Sequence, residues 1–130
     1  MSAKKILIID DDEDLVMGLA IRLKSWGYIV TVATDALSAI SVGRKELPDL
    51  VLLDLGLPGG DGFVVMERMR RLMSLLTVPI IVLTARDAAG NAERARKAGA
   101  FAFFQKPVEN NALLRAITQA LGDESITRTV

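Results

Sequence analysis

Five short segments of the chain carry the apolar patterns of β-strands. Lys5–Ile9, Leu50–Leu53 and residues 80–83 are almost continuously apolar, which is typical of strands buried on both faces of a parallel sheet. Residues 28–34 are rich in β-branched side chains, and residues 101–104 contain three phenylalanines. These patterns together predict five strands.

Segments with helical spacing follow the strands one by one. In the first helix Leu15, Leu19 and Leu23 recur every four residues, and a glycine follows at position 27. Asp35 is a favourable N-cap for a second helix, which is predicted to end before Pro48. Strand and helix therefore alternate from the start of the chain.

Three further helices are predicted in the second half of the chain. The third covers about residues 62–75, and its expected buried stripe consists of Phe63, Met66, Met69 and Met73. The fourth covers about residues 89–98 and is thin, because it contains mostly alanine and arginine. The fifth has its apolar positions at Leu113, Leu114, Ile117 and Leu121 and ends at Gly122.

The alternation of strands and helices predicts the fold class. It indicates an α/β domain with a doubly wound five-stranded parallel sheet, right-handed crossovers and helices on both faces. The 130 residues suit one domain, predicted over residues 1–122, with residues 123–130 as a polar C-terminal tail. Ligands of such sheets bind beyond the carboxyl ends of the strands.

Composition excludes several classes of function. The chain has no cysteine and no histidine, so thiol nucleophiles, histidine-based triads and zinc sites with imidazole or thiolate ligands are excluded. Sixteen basic and sixteen acidic residues cancel, which gives no overall attraction to nucleic acid or to an anionic membrane. The apolar run at residues 6–9 is too short for a signal peptide, so the sequence predicts a soluble, cytoplasmic protein.

Polar side chains follow four of the predicted strands. Asp10 and Asp11 follow the first strand, Asp54 the third, Thr84 the fourth and Lys106 the fifth. Each has an ordinary explanation in isolation, as a turn residue, a helix-capping charge or a solvated lysine. Their joint occurrence at four strand ends instead indicates one shared site.

Crowded carboxylates predict a cation at that site. Like charges that share a small volume repel, so one carboxyl must be protonated or a cation must bind. Oxygen ligands without histidine or cysteine favour Mg²⁺. A cation, an ammonium and a hydroxyl around an aspartate are suited to holding a phosphoryl group on that aspartate.

Four motifs carry a resemblance to a known family. They are Ile-Leu-Ile-Ile-Asp-Asp-Asp ending at Asp12, Leu-Leu-Asp-Leu-Gly-Leu-Pro-Gly-Gly-Asp-Gly ending at Gly62, Val-Leu-Thr-Ala ending at Ala85, and Lys106-Pro107. Together they closely resemble the receiver domain of two-component response regulators, and the resemblance covers essentially the whole chain. It implies the flavodoxin-like strand order 2-1-3-4-5, which a member of this family exemplifies.

The resemblance also implies the roles of individual residues. Asp54 would be the phosphoacceptor, and Thr84 and Lys106 would contact the phosphoryl group, with a cis bond between Lys106 and Pro107. Mg²⁺ would be held by Asp11 directly, by Asp10 through water, by the carbonyl of Gly56 and by Asp54. The donor would be a phosphohistidine of a sensor histidine kinase or phosphotransfer protein, or a small phosphodonor, and the domain would not itself be an enzyme.

The sequence departs from many members of the family at the conformational switch. Thr84 and Phe103 occupy the switch positions, and Phe103 lacks the hydroxyl or imidazole often found there, which excludes a tyrosine-type hydrogen bond. Gly56 and Arg86 occupy variable positions that influence the lifetime of the acyl phosphate in the family. Because the fourth helix is thin, Phe101 is expected to be partly exposed.

The family further implies an output surface. This is the face formed by the fourth helix, the fifth strand and the fifth helix, and it would contact a downstream protein or a second copy of the chain. The resemblance implies neither a particular kinase nor a particular output. It is compatible with a stand-alone receiver and with a part of a longer regulator.

Two other interpretations compete with the receiver. Asp10-Asp11-Asp12 after a strand also fits a phosphatase of the haloacid dehalogenase type, with Asp10 as nucleophile, but this leaves Asp54 without a role. A degenerate receiver that acts only as a binding module conflicts with the presence of all five polar residues. Identification of the phosphorylated aspartate separates the three.

Overall fold

The computed structural model describes residues 3–122, so the tail predicted at residues 123–130 lies outside the described residues. Five parallel strands form one sheet in this part of the chain. Their bounds are β1 (Lys5–Ile9), β2 (Ile29–Ala33), β3 (Leu50–Leu53), β4 (Ile80–Thr84) and β5 (Ala102–Gln105). Their spatial order is β2-β1-β3-β4-β5, which confirms the predicted topology.

Five helices cover the sheet. Their bounds are α1 (Glu13–Ser25), α2 (Ala36–Glu46), α3 (Gly62–Arg70), α4 (Ala88–Lys97) and α5 (Asn110–Leu121). Each begins after an acidic N-cap whose side chain accepts a hydrogen bond from a backbone N–H of the first turn; the caps are Asp12, Asp35, Asp61, Asp87 and Glu109. The carboxylates satisfy backbone donors that have no partner within the helix and complement the positive end of the helix dipole.

The sheet separates two apolar layers. Alternate residues of β1 point to opposite faces, so that Leu7 and Ile9 pack with α2 and α3, while Ile6 and Ile8 pack with α1 and α5. β3 and β4 are buried along their whole length, as their continuous apolar sequences predict. No helix of the described residues has the length and hydropathy needed to cross a bilayer.

The third helix is shorter than predicted. It ends at Arg70 rather than near residue 75, and Met73 is 90% exposed instead of buried, so its place in the predicted stripe was wrong. The Arg70 guanidinium donates hydrogen bonds to the carbonyls of Leu75, Val78 and Gly99. These bonds hold the following residues in turns, and Leu75 takes the buried position instead.

The loop after β3 contains a small hairpin that was not predicted. Gly56–Leu57 and Gly60–Asp61 pair as antiparallel two-residue strands and lead directly into α3. Gly60 has a φ of 154° and Gly59 a φ of 79°, a combination that glycine supplies without steric strain. The hairpin therefore fixes the position of Asp61 relative to the end of β3.

The edge formed by α4 and β5 is thinly covered, as predicted. Phe103 packs with the layer that contains α3, and Phe104 with the layer that contains α5. Phe101 precedes β5 and is 49% exposed. α4 buries only Ala95, and its first turn is irregular because Gly90 has a φ of 77°.

Candidate functional site

The carboxyl ends of four neighbouring strands bring the predicted polar residues together. Asp10 and Asp54 are buried directly after β1 and β3, and Thr84 is buried as the last residue of β4, whereas Asp11 is exposed beside Asp10. Lys106 follows β5, and its side chain is only 15% exposed. Residues that are 96 positions apart in the sequence thereby share one site.

Backbone hydrogen bonds extend the sheet to the site residues. The Asp10 N–H donates to the carbonyl of Ala33, and the Asp54 N–H donates to the carbonyl of Ile9. The Lys106 N–H donates to the carbonyl of Thr84 at 2.7 Å. Asp10, Asp54 and Lys106 are therefore each fixed to a neighbouring strand end by the backbone, which positions them more precisely than free loops would.

The ammonium of Lys106 lies between two carboxylates. Its Nζ atom is 2.8 Å from Oδ2 of Asp10 and 3.6 Å from Oδ2 of Asp54. The peptide bond between Lys106 and Pro107 is cis, as the family resemblance implied. The lysine side chain thus reaches the site from the strand next to β4, and it is within charge-pairing distance of both buried carboxylates.

Burial and neighbouring charges shift the pKa values of Asp10 and Lys106 in opposite directions. Burial raises the pKa of Asp10, and the hydrogen bonds from Lys106 and from the Asp12 N–H offset only part of that effect. Burial alone would lower the pKa of Lys106, but the hydrogen bond and charge of Asp10, with the charge of Asp54, raise it overall. The lysine is therefore cationic at neutral pH, and ionised Asp10 is costly without a further cation.

The acidic residues form a cluster suited to a divalent cation. One carboxylate oxygen from each of Asp10, Asp11 and Asp54 lies within 4.8 Å of the others. All three donors are hard oxygens, which fits the preference of Mg²⁺. Gly56, the fourth predicted ligand, is exposed on the adjacent hairpin, and its N–H donates to Oδ1 of Asp54 at 3.3 Å.

The two predicted switch residues lie on β4 and β5, which are neighbouring strands. Thr84 is 1% exposed, and its Oγ1 accepts a hydrogen bond from the N–H of Arg86 at 3.3 Å. Phe103 is the register partner of Val82, two residues before Thr84 on the neighbouring strand. The hydroxyl and the aromatic ring are thus carried by paired strands.

Two features of the site were missed by the sequence analysis. Nη1 of Arg86 pairs with Oδ2 of Asp61 at 3.2 Å, and this ion pair joins the loop after β4 to the hairpin after β3. A Cβ atom on Gly62 would lie 2.6 Å from the carbonyl oxygen of Asp54, so only glycine fits there. Neither partner could be identified from sequence, because both contacts depend on how two loops fold back.

Comparisons with known proteins define the class of protein. The profile of the response regulator receiver domain matches residues 6–118, so the chain belongs to the response regulator receiver domain family. The domain is thus a signalling module of two-component systems, and its acidic cluster is compatible with Mg²⁺ binding.

Individual relatives support the same assignment. The chain is 34% identical over 110 residues to the response regulator PleD of Caulobacter vibrioides, covering 85% of this chain and 24% of PleD. It is 38% identical over 114 residues to a 14.6 kDa protein of Leptolyngbya boryana, covering 88% and 87% of the two chains. The chain therefore spans about a quarter of PleD but most of the smaller relative.

A solved structure shows the same fold with a metal. The receiver domain of the sensor histidine kinase PA1611 from Pseudomonas aeruginosa, which has a magnesium ion coordinated in its active site cleft, superposes with a TM-score of 0.85. The two sequences are 29% identical, and the superposition covers 93% of this chain and 99% of that domain.

Proposed function

We propose that this receiver domain accepts a phosphoryl group on Asp54. The observation that carries the proposal is the position of Lys106, whose ammonium lies 3.6 Å from the Asp54 carboxylate. Thr84, at the end of the next strand, supplies a hydroxyl on the same edge of the sheet. Cationic and hydroxyl donors around one carboxylate are what a phosphorylated aspartate requires.

In this proposal the donor is a phosphohistidine of a sensor histidine kinase or phosphotransfer protein, and that histidine lies outside these 130 residues, which contain none. A carboxylate oxygen of Asp54 attacks phosphorus, a new P–O bond forms, and the P–N bond of the phosphohistidine breaks. The bonding electron pair stays on the imidazole nitrogen, which then takes a proton from solvent. Lys106 neutralises negative charge on the phosphoryl oxygens, and the Thr84 hydroxyl donates a hydrogen bond to one of them.

Asp10, Asp11, Asp54 and the Gly56 carbonyl are the residues that would hold Mg²⁺. When bound, the ion neutralises phosphoryl oxygens and relieves the repulsion among the carboxylates. The raised pKa of Asp10 supports this assignment, because a buried carboxyl that is costly to ionise gains most from a bound cation.

The signal would leave the domain through the α4-β5-α5 face. In this proposal Thr84 moves toward the phosphoryl group, Phe103 shifts inward, and the surface around Phe101 changes its contacts with a downstream protein or a second copy. The support is the thin cover of this edge, where α4 buries only Ala95 and Phe101 is half exposed.

The test is identification of the phosphorylated residue. Incubation with acetyl phosphate or phosphoramidate and Mg²⁺ should add one phosphate to the wild type and none to Asp54→Asn. Asp10→Asn, a control that changes another buried carboxylate of the cluster, should weaken the reaction without moving the label. Label that persists in Asp54→Asn and disappears in Asp10→Asn would overturn the proposal in favour of a phosphatase with Asp10 as nucleophile.

A further inference from the structure

The ion pair between Arg86 and Asp61 spans the rim of the site. Both side chains are 37% exposed, and the pair joins two loops that are 25 residues apart in sequence. Half-exposed ion pairs contribute little to stability, so the arginine can exchange this partner for another anion at small cost.

Each member of the pair is connected to the phosphorylation site. The N–H of Arg86 donates to Oγ1 of Thr84, and Asp61 belongs to the hairpin in which the Gly56 N–H donates to Asp54. Arg86 therefore lies two residues beyond Thr84, on a loop at the edge of the phosphorylation site, while its guanidinium is paired with Asp61.

The two carboxylate oxygens of Asp61 have separate partners. Oδ1 accepts a hydrogen bond from the N–H of Phe63 at 2.9 Å and caps α3, whereas Oδ2 accepts from Arg86. The helix cap thus fixes Asp61 in place whatever the arginine does. The Asp61 carboxylate is therefore fixed, whereas the long side chain of Arg86 is free to change its partner.

We propose that Arg86 is a phosphoryl-binding arm that Asp61 holds away from the site until the phosphoryl group arrives. This inference rests on the proposed phosphorylation of Asp54. Guanidinium groups bind phosphoryl oxygens in bidentate geometry, and a doubly charged phosphoryl group is a stronger partner than a single carboxylate. Asp61 is therefore a competitor for the arginine, and it limits the affinity of the site for a phosphoryl group.

The test is a double-mutant cycle on the binding of beryllofluoride, a phosphoryl mimic, in the presence of Mg²⁺, measured by calorimetry. Asp61→Asn retains the acceptor that caps α3 but loses the charge that holds Arg86. It should tighten binding by up to about fivefold, the factor that corresponds to releasing an arginine from a half-exposed ion pair. Arg86→Gln should weaken binding, and the double variant should match Arg86→Gln alone.

The cycle separates the arm from simpler explanations. If removal of the Asp61 charge tightens binding equally in the Arg86→Gln background, the effect is general electrostatics and the inference is overturned. If Asp61→Asn weakens binding, the ion pair serves to hold the two loops in the conformation that binds the mimic, and the inference is again overturned. Glu93→Gln, which breaks the exposed pair with Arg96 on α4, serves as the matched control and should leave the affinity unchanged.

The proposed function fails in a different way. If Asp54 is not the phosphoacceptor, the wild type does not bind beryllofluoride and acetyl phosphate does not label Asp54. Normal labelling of Asp54 together with a cycle that shows no coupling between Asp61 and Arg86 would refute only the arm.

Discussion

The ammonium of Lys106 lies closer to Asp10 than to Asp54, at 2.8 Å against 3.6 Å. In the unphosphorylated domain the lysine thus serves mainly as the counter-ion of a buried carboxylate. Under the proposed function, its interaction with a phosphoryl group on Asp54 would be gained later, and Lys106 would have a structural role in one state and a binding role in the other.

Removing the lysine should therefore destabilise the unphosphorylated domain. Lys106→Met leaves Asp10 buried without its cation, and we expect the free energy of unfolding in metal-free buffer at pH 7 to fall by about 2 kcal/mol. Loss of Lys106 also raises the pKa of Asp10 further, so the deficit should shrink as Asp10 becomes protonated in acid. Urea denaturation measures both effects.

The matched control for that experiment is Lys97→Met, because Lys97 is an exposed lysine on α4. It should leave the free energy of unfolding almost unchanged. Adding Asp10→Asn to Lys106→Met should restore part of the lost stability by removing the unpaired charge. A double variant that is less stable than Lys106→Met would contradict this account of the pair.

Asp11 should contribute to metal binding and not to folding. Asp11→Ala removes an exposed carboxylate from a repelling cluster, so its melting temperature in chelator should equal or exceed that of the wild type. Saturating Mg²⁺ should raise the melting temperature of the wild type much more than that of Asp11→Ala, since stabilisation by a ligand follows its affinity. Asp14→Ala, a nearby exposed carboxylate outside the cluster, should respond to Mg²⁺ as the wild type does.

Alanine substitutions at two glycines should change the stability of the domain in opposite directions. In Gly62→Ala the new Cβ would lie within 2.7 Å of backbone atoms of Asp54 and Leu55, and the clash should cost about 1–3 kcal/mol. Gly18→Ala places its Cβ in open space within α1 and should stabilise by about 0.5–1 kcal/mol. Chemical denaturation of the two variants provides the comparison, and equal effects would show that the close approach at Gly62 is wrong.

The Asp35 cap of α2 predicts that the stability of the domain depends on pH. Hydrogen bonds from the Ser38 N–H and hydroxyl lower the pKa of Asp35 below its ordinary value of 3.8. A depressed pKa stabilises the fold at pH values above 3.8, and that stabilisation is lost as pH falls through the lower folded value. Asp35→Ala should thus melt several degrees lower than the wild type at pH 7, with a difference that narrows below pH 3.8.

Asp35→Asn is the control for this cap. Asparagine also accepts a hydrogen bond at an N-cap, so its melting temperature at pH 7 should stay near that of the wild type. A gap between Asp35→Ala and the wild type that stays constant down to pH 2 would argue against the titration of Asp35 as the cause.

Serine substitutions at Phe101 and Phe103 should separate the effect on association from the effect on stability. Phe101→Ser alters a half-exposed ring and should hardly change the free energy of unfolding, whereas Phe103→Ser removes a ring packed on the core and should cost about 2 kcal/mol or more. Sedimentation with and without beryllofluoride should show self-association or partner binding in the wild type that Phe101→Ser weakens. If neither variant nor mimic alters association, the output surface lies elsewhere.

The centre of the sheet was predictable because its three central strands, β1, β3 and β4, are buried on both faces. Continuous apolar sequences such as Leu50–Leu53 cannot be exposed without large cost, and the polar residue after each strand is placed by the end of that strand. The convergence of Asp10, Asp54, Thr84 and Lys106 on one edge follows directly from parallel topology.

Contacts between loops were not predictable in the same way. Met73 fits the helical spacing of α3, yet the hydrogen bonds of Arg70 to distant carbonyls end the helix before that position is reached. The pairing of Arg86 with Asp61 likewise depends on a hairpin of two residues per strand, which is too short to leave an alternating pattern.

The separation of 96 positions between Asp10 and Lys106 has a consequence for biosynthesis. A ribosome releases β1 and the acidic residues that follow it long before the strand that precedes Lys106, so no nascent fragment that stops short of β5 contains the lysine that pairs with Asp10. Such fragments present carboxylates without their counter-ion and lack one edge of the sheet. Under the proposed function, a phosphodonor that requires the complete site would phosphorylate finished molecules and not such fragments.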